Sequence, residues 1–432
     1  MIKVVIICHD FPPLKCVAAF RPQYWMQNLH QYGIYPVVFT RNWPENIGNH
    51  RDKFHKHALP NFHTKESQWE LFKISTRYTL RSKLISKYGF EKYSLFRRFL
   101  TLIDWFKEHF TMTSDEYAPM FHSIEDYLKI NKVDVIIVSG GPFHFYKYGW
   151  YFHKKYGIPW LPDYRDEWSN LSKVEINKKN FFQLFEPILE KKWTSNALSF
   201  ITVSEGLRIG ISKDINKEGA VVRNGYNEQI IPEETKSNAE KFIISFAGTI
   251  YEAAYLDIFI EGFEQFIDQI QNSSKIKLLF IGIDLSETKG TKRVHQLRNK
   301  YPEWIEIVPP MEHKDCLVEM SKSSVLLSLI PGSMTFGFLS TKIYDYIVLK
   351  KPIINIESVE KSAEHELSKF LIKCENSKDF STRLLELYSK WQNDKDLGIA
   401  IDNDDIFKYS RAYQTKILAE LLIKVTSNNE NH

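Results

Sequence analysis

The 432-residue chain is poor in cysteine, has no long apolar run and carries no glycine-rich phosphate loop behind its first strand. Its four cysteines, Cys8, Cys16, Cys316 and Cys374, show no CxxC spacing, and no basic leader with an apolar stretch precedes them. That is the pattern expected of the reducing cytoplasm. No apolar run approaches the ~18 residues that cross a bilayer. The formal net charge of only +4 argues against a dedicated nucleic-acid binder, which concentrates basic charge in one domain. The histidines at 50, 55, 57 and 63 include no His-x3-His pair, so they read as a solvated loop and no metal is expected.

What is present is aromatic and apolar surface: 14% aromatic and 43% hydrophobic residues, enough to offset chain entropy in a globular fold. A single core stops growing at ~250–300 residues, so two domains are expected. Apolar runs of strand length alternate with helical stretches, which predicts α/β architecture with parallel sheets covered on both faces. In the first half the strands are IKVVII, YPVVFT, VDVIIVS, IPWLPDY, ALSFITVS and AVVRN; the series restarts at KFIISFAGT and continues through KIKLLFIGI, EWIEIVPP, SVLLSLIP and KPIINI. The predicted organisation is an N-terminal Rossmann-like domain over 1–225, a polar linker over 226–240, a second Rossmann-like domain over 241–405, and a terminal helix with a frayed tail over 406–432. Two such doubly wound sheets imply a cleft, with ligands beyond the carboxyl ends of the strands. A basic, aromatic insertion at about 66–110 interrupts the first domain. It reads either as a solvated helical excursion or as a surface that meets anionic lipid or a lipid-linked acceptor.

Loops after strands therefore carry the candidate chemistry. HDFPPLK follows the first strand and offers His9, Asp10, Lys15 and, in the next helix, Arg21; without GxGxxG it does not hold a dinucleotide. The same residues also suit an ordinary structural turn. After IPWLP, the stretch DYRDEW supplies Asp163, Arg165, Asp166 and Trp168, either to orient a sugar hydroxyl or as an internal ion-pair knot. SGGPFHFY places Gly140 and Gly141 where a ligand can come close. In the second half, FAGT ends its strand with Gly248 and Thr249. Further on, STKIYDYIVLK reads as a helix reaching Lys350, with Ser340 and Thr341 as N-cap residues, Lys342 in its first turn and Asp345 one turn on. A cation in the first turn opposes the helix dipole unless an anion joins it, so Lys342 is a candidate phosphate ligand; the alternative is a lysine extended into solvent.

HDFPP, GIPWLPDYRDEW, VVRNGY, FAGT and STKIYDYIVLKKPII, in that order, resemble the retaining GT-B glycosyltransferases of family 4, especially bacterial members that build surface polysaccharides. The resemblance implies an acceptor-binding N-terminal domain, a donor-binding C-terminal domain, and a last helix that returns to the first domain. It also implies transfer of a sugar, with retention, from a nucleoside-diphosphate sugar to a saccharide or lipid-linked acceptor. Catalytic roles then fall to Asp166, Arg165 and Lys342. Donor contacts fall to Gly248, Thr249, Ser340, Thr341, Lys342, Asp345 and Pro310, and acceptor contacts to His9, Asp10, Lys15, Arg21, Asp163 and His144. No cofactor or metal is implied, because the lysine and helix end supply the positive charge. The partners are the donor and the acceptor, with the inner face of the cell membrane added only on the lipid reading of the insertion. Against the family pattern, KCVAA replaces paired glycines, Gly337 stands where a glutamate is usual, Arg165 replaces a histidine, and FAGTIYEAAYLD lacks the usual arginine and lysine. The competing functions are a nucleotide-sugar epimerase or hydrolase of the same shape, and a non-catalytic partner protein.

Overall fold

A computed structural model describes residues 1–45, 59–169, 184–233, 236–250, 254–270, 273–285, 288–329, 340–356 and 367–429. The histidines at 50, 55 and 57, and Gly337, lie outside these. The chain forms two compact units, Met1–Asn224 with Ala412–His432, and Gly225–Arg411.

In the first unit the strands are β1 (Ile2–Cys8), β2 (Ile34–Arg41), β3 (Phe62–Lys65), β4 (Glu70–Ile74), β5 (Val135–Ser139), β6 (Trp160–Tyr164), β7 (Phe200–Thr202) and β8 (Gly219–Val221). They form one sheet in the order β3-β4-β2-β1-β5-β6-β7-β8, parallel except for β3 against β4. Period-two alternation divides each central strand between two cores. Val5 and Ile7 of β1 join Val37, Phe39, Ile136 and Val138 on one face, whereas Val4 and Ile6 join Val38, Val135 and Ile137 on the other. The second face is closed by Trp25 and Met26 of the helix Val17–Asn28 and by Leu418, Ala419 and Leu422 of the terminal helix Arg411–Asn429. Both faces are thus apolar, as a covered parallel sheet requires.

The second unit carries β9 (Phe242–Ala247), β10 (Ile276–Ile281), β11 (Ile305–Val308), β12 (Val325–Leu329), β13 (Ile353–Ile356) and β14 (Leu371–Cys374), ordered β11-β10-β9-β12-β13-β14 and parallel throughout. The same alternation operates: Phe242, Ile244 and Phe246 face one core, and Ile243 the other.

Three local expectations change. The insertion is not wholly helical: Glu70–Ile74 pairs in parallel with β2, extending the sheet before the helices Leu80–Tyr88 and Ser94–Phe110 begin. The first residue of the expected linker, Tyr226, is buried in the second unit and bridges to Ser410. The helix expected to reach Lys350 spans Lys342–Val348, and its N-cap Thr341 makes no side-chain capping bond. No described helix is long and apolar enough to cross a membrane.

Candidate functional site

The carboxyl ends of β1, β5 and β6 bring together three loops of the first unit. His9 leaves β1 with its carbonyl held by Trp43 Nε1 at 2.9 Å and Thr40 Oγ1 at 3.3 Å. Its ring Nδ1 lies 2.7 Å from Asp10 Oδ1 and therefore donates to that carboxylate, while Nε2 meets the Tyr117 hydroxyl at 3.1 Å. Asp10 Oδ2 is 3.6 Å from Arg165 Nη1. Arg165 in turn donates Nε to the Gly140 carbonyl at 3.0 Å and Nη2 to the Gly141 carbonyl at 3.2 Å. A continuous polar chain thus runs Arg165–Asp10–His9–Tyr117. Gly141 has φ +81°, and a Cβ there would strike Arg165 Nη2, so the guanidinium sits where only glycine leaves room. Asp166 has an exposed surface, yet partial burial of its carboxyl raises its pKa against the lowering pull of Arg165. Next to this chain, His9, Arg41, Arg77, Glu116 and Tyr117 line a cavity of about 140 Å³. Lys15 is exposed on the loop after β1.

Three residues expected to touch the acceptor are buried and have protein partners. Arg21 and Asp163 are both buried and pair with each other, Nη2 to Oδ1 at 2.9 Å and Nε to Oδ2 at 3.3 Å. Arg21 also donates to the Arg223 carbonyl and lies 4.3 Å over the Trp25 ring, while Asp163 accepts from Ser139 Oγ at 3.0 Å. Asp163 thus takes part in a buried ion pair, with Arg21 and not with the neighbouring Arg165. His144 is buried among His109, Tyr117 and Phe145, and that burial holds its pKa well below the ordinary histidine value. It packs on Tyr117, whose hydroxyl meets His9.

In the second unit the site builds on the end of β9. Gly248 has φ +88°, and a Cβ there would approach Lys342 Cε at 3.1 Å and Nζ at 3.2 Å. Lys342 extends from the helix Lys342–Val348 across this gap; its ammonium lies 4.3 Å from the centre of the Phe246 ring and 3.4 Å from the Thr249 carbonyl. Among the described residues it pairs with no carboxylate. Burial therefore dominates and its pKa falls to about 8. Ser340 and Thr341 open the helix, their carbonyls accepting from the Ile343 and Tyr344 N–H groups. Asp345 is held by His313 Nε2 at 2.9 Å. Pro310 is exposed between β11 and the helix His313–Ser321.

Two participants were missed in the sequence. His313 opens the helix after β11, so extending the strand-end search past VPPM would have reached it. Tyr117 gives no such signal, because it follows no strand. Among the described residues no group of three or more histidine, cysteine or acidic side chains has a metal-binding arrangement.

No family model matches the chain. No curated protein matches it in sequence. Solved structures do match in shape. A sucrose-phosphate synthase from Thermosynechococcus elongatus has TM-score 0.60 at 12% identity, covering 99% of this chain and 100% of that one. A UDP-forming α,α-trehalose-phosphate synthase from Burkholderia xenovorans has TM-score 0.60 at 9% identity, covering 98% and 99%. An E. coli structure described as trehalose-6-phosphate bound with UDP-2-fluoro glucose has TM-score 0.60 at 10% identity, covering 97% and 98%. These likenesses fix the architecture as two Rossmann-like domains of the GT-B type.

Proposed function

We propose that the protein is a retaining glycosyltransferase of the family 4 kind. It moves a sugar from a nucleoside-diphosphate sugar to a saccharide or lipid-linked saccharide at the inner face of the cell membrane, in bacterial surface-polysaccharide synthesis. The observation that carries this reading is Lys342: a cation drawn out of water, with no acidic partner among the described residues, beside a glycine that keeps the end of β9 clear. Such a charge is costly unless an anion joins it, and a diphosphate is the anion this fold suits.

In the reaction the bond from the anomeric carbon to the phosphate oxygen breaks, leaving positive charge on the sugar and negative charge on the diphosphate. Lys342, with Ser340 and Thr341, stabilises the departing diphosphate. Gly248 and Thr249 admit it, and Asp345, oriented by His313, accepts hydrogen bonds from the sugar ring. In the first unit His9, Asp10 and Lys15 shape the acceptor side. Arg165 fixes the loop carrying Asp166, whose carboxyl orients the acceptor hydroxyl. That hydroxyl bonds to the anomeric carbon from the face the leaving group departs, and its proton passes to a phosphate oxygen. Positive charge from lysine and backbone makes the step independent of metal.

The test is turnover of a panel of nucleotide sugars with saccharide acceptors, followed by product stereochemistry. Nucleoside diphosphate should appear only when acceptor is present, with the donor's anomeric configuration kept. Lys342→Ala should lower turnover about 100-fold or more while leaving the melting temperature near that of the wild type. Donor consumption without acceptor would favour a hydrolase or epimerase, and near-normal turnover by the variant would remove Lys342 from the mechanism.

A further inference from the structure

The helix Ser94–Phe110 has its polarity reversed. Leu95, Phe99, Leu102, Phe106 and Phe110 recur at three- and four-residue spacing, forming one stripe, and are 77%, 57%, 42%, 56% and 43% exposed. Its two acidic residues lie off that stripe: Asp104 and Glu108 are half-buried and line a partly open pocket of about 380 Å³ with Arg77, Asp115 and Glu116. A helix still waiting to find its core would not be tied down, yet this one is. The fully buried Lys147 donates to the carbonyls of Glu108 at 2.6 Å and Thr111 at 2.8 Å and pairs with Asp115, while Trp105 packs against the core. At the other end Arg97 donates to the carbonyls of Phe90 and Lys92, holding a turn whose Phe90 and Tyr93 are also exposed.

The chemistry of the surroundings selects the occupant. Between Leu80 and Phe110 seven lysines and arginines oppose three acids, and two of those acids, Asp104 and Glu108, line the pocket off the stripe. The outward face is thus apolar with exposed basic residues such as Lys87, Lys92 and Arg98 around it. Two copies meeting there would bring like charges together, whereas an anionic bilayer satisfies both stripe and charge. We infer that this face is a membrane-docking surface that inserts the stripe into the headgroup and acyl boundary of anionic lipid. The same helix touches the acceptor side of the first unit, because His109 packs against His144, and His144 against Tyr117, which holds His9. Docking therefore engages a helix that is in contact, through these rings, with the His9 loop, deepening the reading of a lipid-linked acceptor and resting on it only for that last step.

Co-sedimentation of the full chain with vesicles tests this without any sugar donor, so its outcome is separate from that of the transfer assay. Vesicles of equal parts phosphatidylglycerol and phosphatidylcholine should bind the protein, less so as salt rises, and pure phosphatidylcholine should bind it weakly. Phe99→Asp with Phe106→Asp should lower partitioning roughly tenfold or more, as should Lys92→Ala with Arg98→Ala, with melting temperatures unchanged. Absence of binding to anionic vesicles, or equal binding by the aspartate variant, would overturn the assignment. So would light scattering showing a dimer that the aspartate variant splits, without vesicle binding, since a second copy would then cover the face.

Discussion

Arg21, which is buried, and Lys342, which is half-buried, meet opposite fates. Arg21 is fully compensated, with a carboxylate, a carbonyl and an indole face around it. Removing either partner of Arg21–Asp163 leaves an uncompensated charge, so Asp163→Asn or Arg21→Met should each cost about 3–5 kcal/mol in urea or thermal unfolding. The double variant should recover much of that loss; equal or additive losses would show that the two do not act as a pair. Lys342 has an aromatic face and one carbonyl but, among the described residues, no carboxylate. Its folded pKa of about 8 lies below the usual lysine value, so the unfolded chain binds the extra proton between about pH 8 and 10.5. Stability is therefore reduced at neutral pH and recovers as pH rises through that window. A cation kept in place at a cost to the fold is what the proposed diphosphate contact would account for.

At the scale of elements, the alternation of apolar residues made most of the sheet legible: β1, β2, β5, β6, β9 and β10 are runs of Val, Ile, Leu and Phe that could only be covered strands. What escaped was short or charged. β4 was hidden because ELFKI sits in a basic, aromatic stretch read as helix, and β14 because four residues of LIKC carry almost no periodicity. Loops after strands were legible: His9, Asp10, Arg165 and Gly248 lie on such loops, and Lys342 reaches one of them from a helix. Which of these face a ligand was not legible, because Arg21 meets Asp163 across 142 positions and no local pattern records such a pairing. The burial of Lys342 likewise depends on Phe246 and Gly248 from a distant strand. Packing between elements sets one further requirement. The helix Tyr146–Tyr156 crosses β6 at Gly149, where a Cβ would lie 2.2 Å from Trp160 Cε3. The indole is fully buried and has no room to yield. Gly149→Ala should thus destabilise the first unit by about 1–3 kcal/mol despite the better helix propensity of alanine, and an unchanged or raised melting temperature would show that the helix can shift.

For the whole molecule, the proposed function divides one reaction between the units: the acceptor would fall to the polar chain of the first, and the donor diphosphate to Lys342, which reaches the end of β9 from its helix in the second. The central claim is that this lysine receives the diphosphate of the donor. Calorimetric titration with nucleoside diphosphates, across pH and with Lys342→Met alongside, tests it most directly. The wild type should bind one such nucleotide, with affinity that falls as pH rises through about 8 and the ammonium loses its proton. The methionine variant should lose about tenfold or more in affinity, together with that pH dependence. A wild type that binds none of them, or a variant that binds as tightly with the same pH profile, would contradict the account.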